Sequence, residues 1–430
     1  MQAATFMKQK PELSPYKKGD VLVLFGELFS RGYANGLVEE AERRGMTIVR
    51  ATVGRRENGQ LRALNAEEAA LVTKPFINIP LEAGFDLEPD SKGSAPVDQL
   101  KDVKLSEWEN AKMDFKSIEE SRQNGVARFR KNVSAFMTEL APLIPAGANV
   151  LFAHLMAGGV PRIKIVMPLM NRTCKGSGDR YLASKQLWDS DIGKFCAISF
   201  REVTAETLRH LIELSSPLRE KIESGGGHVA YTGYGYHGTE ILNRGEYKWQ
   251  TYTPYIQGWA KKDLENIAVE ASKKGIHACI YNCPEILTNS SSIFQGVEVS
   301  LYPLLGAIEK ECKISAVGKN ILTDCQALLK DEVKLQDIMV FTDNYLSLPE
   351  IKEHCNFDKW PQHSSKQQLE TMLAASEHLI SLHKDGKKLI TSELSEVVFN
   401  SCGYVMLHDS WNPQSPVAWI GHDLVAKSIH

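Results

Sequence analysis

The stretch DVLVLFGELFSRGYANGLVEEAERRGMTIVRATV, residues 20–53, joins a continuous apolar run to a helix-like segment and then to a second apolar run. A continuous apolar run is typical of a strand that is buried on both faces, as strands are in a parallel sheet. A strand, a helix and a second strand in so short a stretch form a βαβ unit, in which the two strands are parallel. The segment therefore predicts an α/β fold.

Further apolar runs continue the same alternation along the chain. The segments FINIPL, ANVLFAHL, GGHVAYTG and GIHACIYN have the composition of strands, and longer segments with helical spacing lie between them. This alternation predicts a Rossmann-like, doubly wound parallel sheet of about seven strands. We assign residues 1–18 to a polar leader, and residues 19–335 to the sheet domain with a surface insertion at about 57–117. Residues 336–430 form a C-terminal extension that we expect to pack on the same domain.

The composition is that of a globular protein and argues against several classes of partner. A net charge of −3 gives no reason to expect nucleic acid. No apolar run reaches the roughly 20 residues that a membrane span needs, and the first residues lack the apolar core of a secretory signal. We therefore expect a cytoplasmic protein. The 8 cysteines contain no CxxC pair and the 12 histidines no HExxH motif, so we expect free thiols and no metal site.

A glycine-rich turn follows the first strand of the βαβ unit. Gly26, Gly32 and Gly36 lie between this strand and the end of the first helical turn. Glycines at such a turn let backbone N–H groups approach a pyrophosphate at a helix N-terminus, although many βα turns hold glycine only to turn. We take these glycines, with Ser30 and Arg31 between them, as candidate cofactor-binding residues.

The second strand of the unit ends in two arginines. Arg55 and Arg56 stand there, with no acid before Glu57. NAD-specific sites usually hold an acid at this strand end for the ribose 2′-hydroxyl, whereas adjacent guanidinium groups suit a 2′-phosphate. A pair of solvated surface arginines is the alternative. The pattern predicts NADPH as the cofactor in preference to NADH.

A tyrosine and lysine motif lies in QTYTPYIQGWAKKDL, residues 250–264. Eight residues separate Tyr252 from Lys261, and five separate Tyr255 from Lys261, so neither tyrosine would face Lys261 closely within one helix. However, Thr253 and Pro254 form a helix-start signal, which leaves Tyr252 in a loop that can fold back toward Lys261. Tyr252 is therefore the first candidate and Tyr255 the second. This stretch alone favours the other interpretation, in which the tyrosines are helix-end packing aromatics and the lysines are solvated.

These motifs together resemble the enoyl-acyl-carrier-protein or enoyl-CoA reductase branch of the short-chain dehydrogenase/reductase superfamily. That branch has widened tyrosine-to-lysine spacings, and its eight-residue form matches Tyr252 and Lys261. Its glycine loop is similar to Gly26, Gly32 and Gly36.

Three further segments carry the resemblance. HLMAGGVP, residues 154–161, is similar to the motif after the fourth strand and implies that His154 lies at the cofactor. GYHGTE, residues 235–240, is similar to the motif after the fifth strand and implies Tyr236 as a second active-site tyrosine. The proline and threonine after the sixth strand correspond to Pro284 and Thr288, which the resemblance implies as cofactor-binding residues.

The resemblance implies NADPH-dependent reduction of the C2–C3 double bond of a trans-2-enoyl thioester, carried by acyl carrier protein or CoA, in fatty acid synthesis. Tyr252 would donate a hydrogen bond or proton to the thioester oxygen. Lys261 would hold the nicotinamide ribose and lower the pKa of the tyrosine. Residues 284–312 would form a flap over the acyl chain.

Two other functions stay open at this point. A carbonyl or hydroxysteroid oxidoreductase of the same superfamily is disfavoured, because no serine occurs between Ser224 and Ser272 to bond a carbonyl oxygen. A catalytically lapsed NADP(H)-binding module is the second alternative.

We also predict a homodimer or homotetramer. One helix of this superfamily often pairs across a two-fold axis, and the corresponding segment here, residues 125–140, has an apolar stripe at helical spacing. The stripe consists of Val126, Phe129, Val133, Phe136, Met137 and Leu140.

Overall fold

The computed structural model describes residues 5–235, 237–250, 256–289, 295–312, 314–353 and 365–429. The strands are β1 (Thr5–Met7), β2 (Val21–Phe25), β3 (Thr47–Thr52), β4 (Arg55–Glu57), β5 (Gln60–Arg62), β6 (Phe76–Pro80), β7 (Val150–His154), β8 (Val229–Gly235), β9 (Thr239–Asn243), β10 (Glu246–Gln250), β11 (His277–Asn282) and β12 (Val417–Ile420).

The helices up to the end of the predicted sheet domain are α1 (Tyr33–Arg43), α2 (Ala66–Ala70), α3 (Phe115–Leu140), α4 (Val166–Lys175), α5 (Ser184–Asp189), α6 (Asp191–Arg201), α7 (Thr207–Leu214), α8 (Ser216–Ser224), α9 (Ile256–Lys273), α10 (Val297–Leu301), α11 (Pro303–Glu311) and α12 (Ala316–Ala327). The remaining helices are α13 (Leu335–Leu346), α14 (Pro349–Glu353), α15 (Lys366–Ser381), α16 (Ile390–Asp409) and α17 (His422–Lys427). Within these described ranges, no helix is long and apolar enough to cross a membrane.

One eight-stranded sheet organises the chain, in the order β1-β12-β11-β8-β7-β2-β3-β6. Every pairing in it is parallel. The predicted Rossmann-like α/β fold is therefore confirmed, with eight strands against the roughly seven expected. β1 and β12 are the two strands of this sheet that the named apolar segments did not include; they come from residues 5–7 and 417–420 and lie together at one side of the sheet.

Alternate residues of the central strands enter two different cores, because successive side chains of a strand point to opposite faces. Val21, Val23 and Phe25 pack on one face with α3. Leu22 and Leu24 pack on the other face with helices that include α1 and α16. Burial on both faces is the physical reason for the continuous apolar run in β2.

The apolar stripe of α3 is largely used within the chain. Phe129, Val133, Phe136, Met137 and Leu140 are buried against the sheet. These side chains stabilise the monomer, so the stripe no longer argues for an interface between two copies.

Two glycines let α1 and α16 cross in backbone contact. A Cβ added at Gly36 would lie 1.8 Å from the carbonyl oxygen of Phe399, and one added at Gly403 would lie 2.1 Å from the carbonyl carbon of Gly36. Neither position can hold a side chain without a backbone shift. The C-terminal region therefore packs tightly on the helix that follows the glycine-rich turn.

Candidate active site

Three of the sequence-predicted site residues lie at the carboxyl end of the parallel sheet. Gly26 follows β2, His154 ends β7, and Pro284 follows β11. In a parallel sheet these carboxyl ends lie side by side, and ligands bind where the strand order reverses. Here the reversal lies between β2 and β7, because the chain passes from β2 to β3 on one side and later returns to β7 on the other.

The glycine-rich turn opens the N-terminus of α1. Gly26 has a φ of +126°, and its added Cβ would meet Leu155 at 3.1 Å, so the turn lies directly against the residue after β7. Gly32 is the N-cap of α1, with a φ of +153°, and no side chain caps the helix. The first backbone N–H groups of α1 are therefore suited to an anion such as a pyrophosphate. Ser30 and Arg31 are exposed in the same turn.

Gly36, the third glycine of the predicted motif, has a different neighbour. It lies one turn into α1 and faces α16 through the backbone contact described above. Its need for glycine is explained by helix packing.

A carboxylate lies at the end of β3. The Oε2 atom of Glu27 accepts hydrogen bonds from Thr52 Oγ1 at 2.9 Å and from the Val53 N–H at 3.3 Å. Arg55 donates through both terminal nitrogens to the same carboxylate, at 3.0 and 2.9 Å. Burial alone would raise the pKa of Glu27, but these hydrogen bonds outweigh burial and lower it. Glu27 is therefore a fixed anion at the place where NAD enzymes hold an acid.

Both arginines of the predicted 2′-phosphate site are engaged with acids. Arg55 pairs with Glu27, while Arg56 donates to Glu82 at 2.6 Å and to Glu88 at 2.8 Å. The Arg56 side chain is also largely buried. These guanidinium groups are neutralised within the protein, because the donors that an incoming phosphate would need are already bonded to carboxylates.

A cavity of about 340 Å³ lies beside Glu27, between the carboxyl ends of β3, β6 and β7. Val53, Leu155, Met156 and Ala157 give it apolar walls. Charged side chains line it as well, namely Glu27, Arg55, Arg56, Glu82, Asp86 and Arg162. An apolar wall beside a fixed carboxylate, next to an open helix N-terminus, has groups suited to an adenine, a ribose and a pyrophosphate. The residues present therefore fit a dinucleotide cofactor.

The two adjacent lysines of α9 have different environments. Lys261 is buried, and its Nζ donates to the carbonyl oxygen of Tyr234 on β8 at 2.7 Å. Burial lowers the pKa of Lys261 to about 8. Lys262 is 40% exposed and pairs with Glu265. The structure thus shows that Lys261 is the buried lysine and Lys262 the exposed one, a distinction that the sequence spacing alone did not make.

Glu265 lies at the centre of a buried polar group next to Lys261. Its Oε1 atom is 2.8 Å from His237 Nδ1 and accepts from Asn282 Nδ2 at 2.8 Å. Burial would raise the pKa of Glu265, but the contact with His237 and the charge on Lys262 lower it. This network ties the ends of β8 and β11 to α9.

His154 is buried at the end of β7. Its Nε2 atom is 2.8 Å from Thr207 Oγ1, and its ring stacks on Phe25 at 6.4 Å between centroids. Burial, and after it the positive charge of Lys261, lowers the pKa of His154 to about 3. The imidazole is therefore neutral at physiological pH, and it orders the strand end without carrying charge.

The segment after β11 contacts the glycine-rich turn through an aromatic pair. Tyr33, the first residue of α1, donates from its hydroxyl to the Pro284 carbonyl at 2.6 Å. Its ring stacks on Tyr234, with centroids 5.4 Å apart. Thr288 is half-buried four residues further along. The cofactor turn is thereby connected to β11 and to Tyr234 of β8, whose carbonyl oxygen accepts a hydrogen bond from Lys261.

The three predicted tyrosines, Tyr236, Tyr252 and Tyr255, lie outside the described residues. Their neighbours bracket the site: Gly235 ends β8, and Ile256 is the first described residue of α9. Among the residues that the structure does describe, no group of three or more histidine, cysteine or acidic side chains could hold a metal ion.

The family model for the enoyl-acyl carrier protein reductase FabMG matches residues 3–429. The chain belongs to the FabMG family.

Two solved FabMG structures agree with this assignment. An apo structure, described as a novel type of enoyl-acyl carrier protein reductase, is 45% identical with a TM-score of 0.95, covering 100% of this chain and 97% of that one. A FabMG structure with NADH bound is 39% identical with a TM-score of 0.80, covering 100% and 99%. Comparison with curated proteins found no match. The predicted enzyme class is confirmed: FabMG proteins are enoyl-acyl carrier protein reductases, and this chain reduces enoyl groups in fatty acid synthesis.

The prediction of NADPH is wrong, because the FabMG structure that is 39% identical to this chain has NADH bound. The physical reason lies in Arg55 and Arg56, on which the prediction depended. Both guanidinium groups are already paired with carboxylates.

Sequence reasoning also missed Glu27. The acid was expected at the end of β3 along the chain, whereas it reaches that position from the turn after β2. The signal was present, because Glu27 directly follows Gly26.

Proposed function

We propose that this FabMG-family chain uses NADH to reduce the C2–C3 double bond of a trans-2-enoyl group carried by acyl carrier protein. One observation carries the assignment of the reaction centre. The buried ammonium of Lys261 is fixed at the carboxyl end of β8, on the same sheet edge as the open N-terminus of α1. When bound, NADH supplies the hydride.

The cofactor would lie along the edge from the glycine-rich turn to β11. The N-terminus of α1 is surrounded by Gly26, Ser30, Arg31 and Gly32. There the pyrophosphate would accept hydrogen bonds from backbone N–H groups. Gly36 would act indirectly, by allowing α16 to hold α1 in place.

The same edge continues toward the nicotinamide end. His154, Pro284 and Thr288 stand at or after the ends of β7 and β11. The hydrogen bond from Tyr33 to the Pro284 carbonyl supports a role for this segment in closing the cofactor site.

Lys261 and a tyrosine would stabilise the charge that develops on the thioester oxygen. Lys261 is mostly protonated at neutral pH, because its pKa of about 8 still lies above 7. Its positive charge favours proton donation from a nearby tyrosine. Tyr252 is our first candidate for that donor, Tyr255 the second, and Tyr236 would line the thioester site. The eight-residue spacing and the resemblance support this order.

The strand order supports membership of the short-chain dehydrogenase/reductase superfamily. The six strands from β6 to β11 lie in the order β6-β3-β2-β7-β8-β11. Counted along the chain, this is the order 3-2-1-4-5-6 of a doubly wound dinucleotide fold, and β12 adds a further parallel strand. We keep residues 19–335 as the reductase domain and residues 336–430 as an extension on it. The extension's contribution of β12 and α16 to the shared core supports a single unit.

The flap over the acyl chain is proposed for residues 284–312. Gly296 starts α10 in a left-handed conformation against Met372 of α15, and Glu298 accepts from Ser376 at 2.8 Å. These contacts anchor the segment near its middle.

A homodimer or homotetramer and a cytoplasmic location remain predictions. Because the stripe of α3 is buried within the chain, an interface between copies would have to use another surface. Light scattering at micromolar concentration would distinguish a monomer from either oligomer.

The test of function is oxidation of NADH in the presence of enoyl substrates. Crotonyl-acyl carrier protein and crotonyl-CoA should both be compared with a ketone of similar size. Turnover of a crotonyl thioester without turnover of the ketone is the expected result. Turnover of the ketone alone would favour a carbonyl reductase, and cofactor binding without any turnover would favour a lapsed binding module.

A further inference from the structure

Glu27 occupies the position that distinguishes NADH from NADPH. Its carboxylate bonds to Thr52 and Val53, the last residue of β3 and the residue after it, and it also lines the cavity between β3, β6 and β7. The adenosine ribose of a dinucleotide binds at this strand end, where a carboxylate can accept hydrogen bonds from the ribose hydroxyls. The carboxylate comes from the turn after β2, so the strand itself needs no acid.

Glu27 also restrains the nearest cation. Arg55 binds its carboxylate with two parallel hydrogen bonds, an arrangement that uses the same fork of donors that a phosphate would need. The Arg55 side chain is 41% exposed and that of Glu27 20%. The guanidinium therefore faces solvent at the cavity rim but is held by its own protein.

From this geometry we infer that Glu27 is the specificity-determining residue for the cofactor, and that it acts in two ways. Its carboxylate accepts hydrogen bonds from the ribose hydroxyls of NADH. The same negative charge repels the 2′-phosphate of NADPH and keeps the Arg55 guanidinium from binding that phosphate. The inference rests on the proposed use of NADH and adds the residue that decides it.

Another acid offers a matched control. Glu57 is the first acid after β3 along the chain, and it pairs with Arg62 at the exposed β4–β5 hairpin. If cofactor choice were set by the acid nearest the strand end in sequence, Glu57 would set it. The structure instead directs Glu57 away from the lining of the cavity.

The experiment measures equilibrium binding of NADH and NADPH by calorimetry to the wild-type chain and to Glu27→Gln. Glutamine keeps the shape of the side chain and loses its charge. Hydrogen bonds to charged groups are stronger than neutral ones, so NADH affinity should fall about tenfold. Because Arg55 would then be free to bond the 2′-phosphate, NADPH affinity should rise about tenfold. The ratio of NADH affinity to NADPH affinity should therefore fall about a hundredfold.

Two further variants identify the cause. Glu57→Gln should leave the ratio unchanged. The double variant Glu27→Gln with Arg55→Ala should lose the gain in NADPH affinity, because the arginine that would bind the phosphate is gone. Binding of AMP and of adenosine 2′-monophosphate should follow the same pattern, since these probes occupy only the adenosine half of the site. Thermal unfolding of each variant checks that it is folded.

The outcomes separate the two proposals. A wild-type chain that binds NADPH in preference to NADH would overturn both the proposed cofactor and this inference. A wild-type chain that prefers NADH, with a folded Glu27→Gln variant that keeps the same ratio, would overturn the role of Glu27 alone. A shift in the Glu57→Gln variant would transfer the role to Glu57.

Discussion

Two cations at the same sheet edge have opposite environments. Arg55, the first residue of β4 and three residues beyond the end of β3, is partly exposed and bonded to a carboxylate. Lys261, near the start of α9, is buried and bonded to the carbonyl oxygen of Tyr234. A carboxylate cancels the charge of Arg55, whereas a carbonyl dipole only partly compensates the charge of Lys261 in a medium of low polarity.

This difference in environment indicates that Arg55 shapes the cofactor-binding site, whereas Lys261 takes part in the reaction. A neutralised pair adds little free energy and serves to shape the cofactor site. A buried cation such as Lys261, which has no carboxylate partner among the residues that the structure describes, is costly to the fold, and such groups are concentrated where chemistry occurs. The predictions below test whether the Lys261 side of the edge carries the reaction while the Arg55 side carries only recognition.

The largest effect is expected from Tyr252→Phe, which removes one hydroxyl and leaves the ring. Loss of a positioned proton donor costs about 10²–10⁴-fold in rate. Because the donor acts on charge that develops during the reaction, kcat should carry most of the loss, and NADH binding should barely change. Steady-state kinetics with an enoyl thioester and a direct NADH titration give the two readings.

Tyr255→Phe is the control for this variant, with an expected loss below about tenfold, short of the general-acid range. If Tyr255→Phe abolishes turnover and Tyr252→Phe is nearly silent, the eight-residue spacing is the wrong choice.

The second effect is that of Lys261→Met, which replaces the buried ammonium with an apolar chain of similar length. Removing one preorganised electrostatic group at a reaction centre costs about 10²–10³-fold in kcat. NADH binding should weaken as well, since Lys261 is proposed to hold the ribose. Kinetics and binding should be measured on the same preparation.

Lys262→Met is the matched control one residue away. Lys262 is 40% exposed and pairs with the buried Glu265, which keeps its contacts with His237 and Asn282, so we expect kcat to fall by less than about tenfold, short of the range for a reaction-centre group. A greater loss from Lys262→Met than from Lys261→Met would reverse the assignment of the two lysines.

The sequence was informative where a local pattern has one physical solution. The apolar run at residues 21–25 could be satisfied only by burial on both faces, and it became β2. The glycines at 26 and 32 were correctly associated with a turn, since both have φ values that side chains rarely adopt.

The rest depended on partners that are distant along the chain. Arg55 and Arg56 were taken as open because Glu27, Glu82 and Glu88 are more than twenty residues away in sequence. Gly36 was taken as a cofactor glycine because Phe399, the residue that demands it, lies in the C-terminal region. Local spacing describes a strand or a turn, but it does not show which charges the fold brings together.

The third prediction concerns stability, and its sign follows from the pKa of Lys261. Burial lowers that pKa from 10.5 to about 8, so the unfolded chain holds the proton more tightly than the folded one. Stability therefore rises with pH between about 8 and 10.5, and below about 8 the buried charge costs roughly 3 kcal/mol. Lys261→Met removes this cost and the titration together.

Relative to the wild type, Lys261→Met should consequently be more stable at about pH 7 than at about pH 10, by about 2–3 kcal/mol. Urea unfolding at both values measures the difference. The variant lacks the hydrogen bond to Tyr234 at both pH values, so the free energy of that bond cancels when the two differences are compared. If the stability advantage of Lys261→Met over the wild type does not become smaller as the pH rises, Lys261 is not a buried, uncompensated charge.

The smallest effect is expected on the other side of the comparison, from Arg55→Ala. Its ion pair with Glu27 is 41% exposed at the arginine, so its loss should change NADH affinity by less than about fivefold. The carboxylate should stay in place, because Thr52 and the Val53 N–H still donate to it. Calorimetric titration with NADH tests this. A collapse of NADH binding in Arg55→Ala would mean that the guanidinium contacts the cofactor directly, and the distinction between a neutralised cation at β3 and a reactive one at α9 would then fail.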